Sequence, residues 1–441
     1  MLEQDGSDIS MEEVGLATTR LVDLSLLDPS REENASGDVM IHPLLADYTS
    51  WVAGADEHRR VQASVIVALL ELFLQQEEDS WSDAAPSIHA AQEWFSPVRE
   101  AHAQHVWTQT EHLVTAPRAN LALALGAHHA RRGDRQVGIS LFKGARALHE
   151  RLAEQDPSNL AWKHGLAVSR ERIGDMLLDL GDPSNACAEF RAALDIVKRL
   201  AEQHPNDASW KRCVSIVHGK VGGALLSQDD TTGALIELRT AFDLAASLAR
   251  QYPNHPEWQH DLCIAYITLG DGLRITEDSA GALDAYRAAR ALAEPLARSR
   301  PLDVSIGRAL AVICLKMGHM ERSLGAAARA LASYQTALVI AESLAERDPS
   351  NATWQTDLAA ARANVASVLR QGSLMERTEA HSLFEDARDI LQELGAASRL
   401  SHVQQQAWLP SIERALLSND FAAGHDGAAL AFSPRASASK S

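Results

Sequence analysis

Aromatic residues make up only 5% of this 441-residue chain, and cysteine occurs four times. So few rings argue against a sheet-based core, which draws on aromatic and β-branched residues, while abundant Ala and Leu favour helix. Cys187, Cys213, Cys263 and Cys314 show no CxxC spacing, and each sits in a run rich in Ala, Leu, Val or Ile. They read as small buried apolar side chains in a reducing compartment, not as a disulfide frame. Positive charge is scarce too: 41 Lys and Arg stand against 59 Asp and Glu, a formal net charge of −18. Non-specific binding to a phosphate backbone needs cations that displace counterions, so nucleic acid is not expected as a partner. A long apolar run is also missing. The most apolar stretch, Val65 to Leu74, is short and contains Glu71, so no membrane span is expected. Met1 to Ser10 carries acidic residues where a secretory leader would carry basic ones, and a cytoplasmic protein is expected.

Catalytic signatures are lacking as well. His149-Glu150 is followed by Ala153 where a zinc-binding HExxH would place its second histidine. The remaining histidines are scattered, and His128 and His129, adjacent on a helix, point apart instead of converging on a metal. A phosphate-cradling loop needs GxxxxGK[ST]. The one Gly-Lys pair, Gly219-Lys220, is followed by Val221 and has Val214 where the first glycine should stand. No catalytic residue, metal or cofactor is therefore assigned, and ATP hydrolysis is not expected.

What the chain has instead is a period. Pro157, Pro205, Pro253, Pro301 and Pro349 recur every 48 residues. Small residues keep the same step at Gly126, Gly174, Gly222, Gly270, Gly318 and Ala366. Twelve residues later come Gly138, Ala186, Ala234, Ala282 and Ala330, then Phe142, Phe190, Leu238, Tyr286 and Tyr334, then Ala145, Ala193, Ala241, Ala289 and Ala337. A stack of near-identical helical hairpins demands this, because one hairpin cannot bury its own apolar face and lends it to a neighbour. In the unit that opens at Asp156, Pro157 stops one helix and Ser158 or Asn159 can cap the next. Helix A then runs from about Leu160 to Leu180, Gly181-Asp182-Pro183 breaks it, and helix B begins near Ser184. A glycine inside helix A costs about 1 kcal/mol of propensity, so its recurrence marks a place where helix B comes too close for a side chain. Pro295 falls inside a helix B and predicts a kink. The last unit carries extra residues around Gly372 to Thr378, which place Phe384 two positions late.

The order Gly, Ala, Phe or Tyr, Ala resembles the tetratricopeptide repeat (TPR) over about Pro117 to Leu394. That resemblance implies an all-α fold, a right-handed superhelical solenoid of hairpins whose concave groove takes a protein or peptide. The unit here is longer than the usual 34 or so residues, which reads as about two extra turns in each helix. Trp162, Trp210, Trp258 and Trp354 open helix A, with Ile306 in the same place once.

The ends differ. LVDLSLLD, a short polar turn and VMIHPLLADY together resemble the winged-helix end of an NB-ARC (STAND-class) signalling NTPase. That resemblance places His42 against a nucleotide phosphate, should a nucleotide-binding module precede it; the family's aspartate after this histidine is Pro43 here. The expected division is a winged-helix-like remnant at 1–54, a helical connector at 55–115, repeats at 116–400, a capping helix at 401–418 and a disordered tail at 419–441. Arg274, Arg322 and Arg370 form a ladder with the same step, each four residues after the small helix-A position. In the TPR family that position faces the groove, and guanidinium groups about 10 Å apart could hold carboxylates bidentately. Asp271 and His319 belong beside them, and Asp175 and Asp179 make the earlier part of the groove acidic. The plainer alternative is solvated arginines paired with neighbouring acids, each pair worth under about 1 kcal/mol. The resulting expectation is a non-catalytic interaction module, the sensor or scaffold part of an NB-ARC-type protein, with a protein or peptide partner that carries acidic groups. The alternative is a free-standing TPR adaptor or co-chaperone-like scaffold, and self-association stays open.

Overall fold

The computed structural model describes residues 27–29, 39–41, 104, 106–108, 110–111 and 113–417. The chain divides into two compact units, residues 1–125 with 147–156, and residues 126–146 with 157–441. In the first, strands β1 (Leu27–Pro29) and β2 (Val39–Ile41) pair antiparallel with Leu27 opposite Ile41. They fall on the two apolar segments of the N-terminal resemblance. The rest of the expected 1–54 remnant, His42 included, lies outside the described residues, as do most of the 55–115 connector and the 419–441 tail. Arg118, near the start of helix α1 (Ala116–Arg131), donates to the Thr110 hydroxyl and to the Leu113 and Trp107 carbonyls, and lies 4.1 Å from the Trp107 ring centroid. Burial holds its pKa below the ordinary value.

Helix α2 (Arg135–Gln155) follows, and then five hairpins. They are α3 (Leu160–Asp179) with α4 (Pro183–Gln203), α5 (Ala208–Leu226) with α6 (Thr231–Gln251), and α7 (Pro256–Ile275) with α8 (Ser279–Ser299). After them come α9 (Val304–Ser323) with α10 (Ala327–Arg347), and α11 (Ala352–Leu369) with α12 (Leu374–Ala396). A π-helical turn at Gln404–Trp408 leads into α13 (Leu409–Leu417). Among the described residues no helix is long and apolar enough to cross a membrane.

Caps explain where the helices start. Asn159, Asp207, Asp303 and Asn351 accept backbone N–H bonds at the starts of α3, α5, α9 and α11, and Asp182, Asp230 and Asp278 do so for α4, α6 and α8. Each such cap contributes about 1 kcal/mol. Between A and B, the chain turns through one left-handed residue, and that position also keeps the 48-residue step: Gly133, Gly181, Asp229, Glu277 and Gly325, with φ between 61° and 82°. Helix α12 begins instead with a capping box, Ser373 with Glu376, and its residues are shifted by the two that the unit gains, so Phe384 is still fully buried.

The recurring glycine has a steric cause. A Cβ on Gly174 would lie 2.5 Å from Phe190 Cε1, one on Gly270 2.6 Å from Tyr286 Cε1, and one on Gly318 2.4 Å from Tyr334 Cε1. Helix B therefore lays its ring directly on the backbone of helix A, and the alanines at both sides of the ring, such as Ala282 and Ala289, are fully buried. Several apolar clusters run in series: one spans α3 to α6, a second α7 to α9, and a third α9 to α13, where Trp408 and Ile412 join Phe384 and Leu391. Each hairpin completes its core only with its neighbour. Helix α8 runs through Pro295 without a break in the helix. The tryptophans at the head of helix A are half-buried, and Ile306 in that place is 2% exposed.

Candidate functional site

Consecutive A helices lie side by side, and the polar side chains on this face meet at two fixed separations. Lys220 of α5 donates to Asp175 of α3 at 2.6 Å, and Lys316 of α9 donates to Asp271 of α7 at 2.8 and 3.0 Å. Each of these pairs is 45 residues apart. At the other end of the helices, Arg212 of α5 grips Asp261 of α7 through Nε and, at 3.2 Å, through Nη2. Arg308 of α9 does the same to Asp357 of α11 at 2.6 and 3.4 Å. Both of these pairs are 49 residues apart. The bridge thus alternates between the C-terminal and N-terminal halves of the A helices from one interface to the next. Such bidentate pairs fix geometry as well as charge.

Burial shapes their chemistry. Asp357 is 4% exposed, and its carboxyl is pushed above the ordinary range by desolvation, with Arg308 opposing. Glu171, 3.6 Å from Lys220, is likewise raised by burial first, against the pull of that lysine. Tyr286 donates its hydroxyl to Asp271 at 2.7 Å, and burial followed by that carboxylate drives its pKa upward.

The expected groove residues now have definite places. Asp175 and Asp271 are tied to the lysines of the next A helix, and Asp179 lies 3.9 Å from Arg135. His319 makes a 3.0 Å bond with Asn364 through Nε2 and packs edge-on against Tyr334. Its pKa is lowered to about 3, by burial first and then by Arg322, Lys316 and Arg274, while the Asn364 bond opposes. Arg322 donates to Ser367 at 3.0 Å, Arg274 is exposed, and Arg370 forms the C-cap of α11. Arg322, Lys316 and Arg274 thus each disfavour the charged form of one imidazole. The acids at the opposite end of the stack, Glu171 and Asp175, surround Lys220. Sequence reasoning did not single out Lys220, Lys316, Arg212, Arg308 or their partners as a set. The signal that finds them is the constant 45- and 49-residue separation.

Among the described residues no group of three or more His, Cys, Asp or Glu could hold a metal ion. No family model matches the chain, and no curated protein matches it. Solved structures do. A Rap protein complexed with competence and sporulation factor is 15% identical, with a TM-score of 0.49 over 92% of this chain and 96% of that one. A signal transduction ATPase with numerous domains (STAND), carrying a tetratricopeptide repeat sensor, from Pyrococcus horikoshii is 12% identical with a TM-score of 0.43, over 93% of this chain and 55% of that one. A thermophilic TPR protein of Thermus thermophilus is 18% identical with a TM-score of 0.30, over 54% of this chain and 98% of that one. Among the described residues, 116–417 form a stack of α-helical hairpins whose small and aromatic positions follow the TPR-type order.

Proposed function

We propose that the chain is a non-catalytic interaction module that takes an acidic segment of another protein against the C-terminal halves of α7, α9 and α11. The observation that carries this reading is the placement of cations in the C-terminal halves of adjacent A helices, Arg274 on α7 with Lys316 and Arg322 on α9, all three opposing a positive charge on His319 in a chain whose net charge is −18. Asp271 on α7 is already engaged by Lys316 and Tyr286. Arg370 extends the cationic strip by one hairpin. A segment with carboxylates at matching intervals would gain bidentate contacts there. The finer reading is that the repeats serve as the sensor of an NB-ARC-type cytoplasmic signalling protein. It is supported by the LVDLSLLD and VMIHPLLADY segments and by the β1 and β2 pairing that falls on them; an in-frame P-loop domain upstream of Met1 would test it.

The direct test is fluorescence anisotropy with a labelled oligoglutamate peptide, an oligolysine control, and an Arg274→Glu, Arg322→Glu, Arg370→Glu variant checked for helix content by circular dichroism. Oligoglutamate binding that weakens with salt and is lost in the folded variant supports the reading. Equal binding by parent and variant, or none by the parent, overturns it.

A further inference from the structure

The five left-handed turns between A and B are equivalent in sequence position but not in surroundings. Asp229 and Glu277 occupy the third and fourth, and both are exposed, as is Gly325 at the fifth, where an added Cβ would meet nothing within 4 Å. Gly133 is buried. A Cβ there would lie 2.7 Å from Arg399 Cβ, 2.8 Å from the Arg399 carbonyl oxygen and 3.1 Å from Ala352 Cβ. At Gly181 it would lie 3.1 Å from the His402 ring. The segment that follows α12 therefore reaches back to the first two turns of the same unit. Arg135 Nη1 donates to the Arg399 carbonyl at 2.6 Å, a hydrogen bond that spans 264 residues. Arg399 Nε lies 3.5 Å from Asp134, whose counterparts in the next three hairpins, Asp182, Asp230 and Asp278, cap a helix. Ser398, at φ +57°, turns the chain so that Arg399 faces this turn.

A contact between the first turn and the segment after the last hairpin fixes the sum of all the small rotations between hairpins. It is also a contact of modest strength. Arg135 and Arg399 each leave Nε without a hydrogen bond, burial lowers the Arg135 pKa, and the Asp134 and Asp179 pairs are at 3.5 and 3.9 Å. Partly desolvated ion pairs of this kind return little net stability. We propose that residues 397–402 are a releasable strap that holds residues 126–146 and 157–417 in one closed arrangement, and that its release lets the hairpins rotate into a more open one. The strap does not depend on what the A-helix face binds.

The test uses the full chain in small-angle scattering and amide hydrogen exchange, with Gly133→Ala beside Gly325→Ala. Both substitutions put a side chain at a left-handed turn residue, φ +82° and +74°, but only the first meets the strap. Gly133→Ala is expected to speed exchange over 397–402 at least tenfold and to enlarge the radius of gyration, while Gly325→Ala matches the parent in both. If the two variants behave alike, or if exchange speeds up with no change in radius, the strap is not a conformational device. Should Gly133→Ala fail to fold, Arg399→Asp carries the test by setting a carboxylate against Asp134. It should open the chain at low salt, and Asp134→Arg added to it should close it again. An unchanged radius in Arg399→Asp, or no recovery in the double variant, overturns the proposal.

Discussion

Helix α9 contains two glycines whose replacement by alanine should have opposite effects. At Gly307 an added Cβ meets nothing within 4 Å, so Gly307→Ala simply gains helix propensity. That gain is about 0.5–1 kcal/mol. At Gly318 the same Cβ would sit 2.4, 2.6 and 2.9 Å from three atoms of the Tyr334 ring. The ring is rigid and fully buried, and Ala330 and Ala337 on either side of it are also fully buried, so it cannot swing away. Overpacking of this kind costs about 1–3 kcal/mol, and a forced shift of most of an ångström in a filled core belongs at the upper end. After the propensity gain is subtracted, Gly318→Ala should be destabilised by about 1–2 kcal/mol, which separates the two variants by about 2–3 kcal/mol. For a cooperative unit of 150–250 residues this is a difference in Tm of roughly 4–12 °C. Thermal melts followed by circular dichroism read the difference, and hydrogen exchange over α9 and α10 shows whether the loss is local. Gly318→Ala melting at or above Gly307→Ala would refute the claim that ring contact dictates the glycine.

Removing one partner of a buried bridge should cost more than any surface pair. Arg308→Ala leaves Asp357, 4% exposed, without its guanidinium, a loss of about 3–5 kcal/mol. The loss should be larger at pH 7 than at pH 4, because protonation relieves the stranded carboxylate; urea midpoints that drop equally at both would count against the bridge. His319 should make stability fall in acid. Its folded pKa is lowered to about 3 from 6.5, so its contribution is fully present above about pH 6.5 and lost as pH falls towards 3. Between pH 6.5 and 5 this amounts to at most about 2 kcal/mol, less where solvent reaches the half-buried ring, and His319→Gln should flatten that part of the profile. Burial pushes the thiols of Cys213 and Cys314 up to about 11 and that of Cys263 to about 12 from 9.0. Alkylation by iodoacetamide at pH 8 should therefore be roughly 100-fold slower in the folded chain than in urea, and rapid labelling of the native protein would contradict the burial described.

The hairpins were legible because the demands that make them are local. A glycine at Gly174 and a ring at Phe190 are 16 residues apart, and their contact follows from two helices and one turn. Asn159 and Asp182 announce helix starts by chemistry alone. The face between A helices was read less well. Asp175 and Asp271 carry charge in the positions expected for partner contact, yet the lysines of the next hairpin take them, and only the rotation between hairpins decides which charges meet. The contact of Arg135 with Arg399 has no local signature at all, since it depends on the accumulated rotation of the stack. Glycine at 133 and 181 leaves room for it where aspartate and glutamate stand at 229 and 277, but glycine also stands at 325, where nothing lies within 4 Å, so residue type alone does not announce the contact. Most of the residues that carry the N-terminal resemblance, His42 among them, lie outside the described residues.

The alternating bridges set the length by which such a chain can grow or shrink. Helices α3, α7 and α11 supply the aspartates, and α5 and α9 supply the lysines and arginines. Deleting one unit, residues 256–303, would set Arg212 against Ala309 and Lys316 against Gly223, leaving two cations at an interface with no acid to receive them. Deleting two units, residues 256–351, would bring Asp357 to the place of Asp261 and restore the grip of Arg212. The sequence repeats every 48 residues, but its electrostatics repeat only every second unit, so the hereditary module that can be copied or lost without stranding charge is a pair of hairpins.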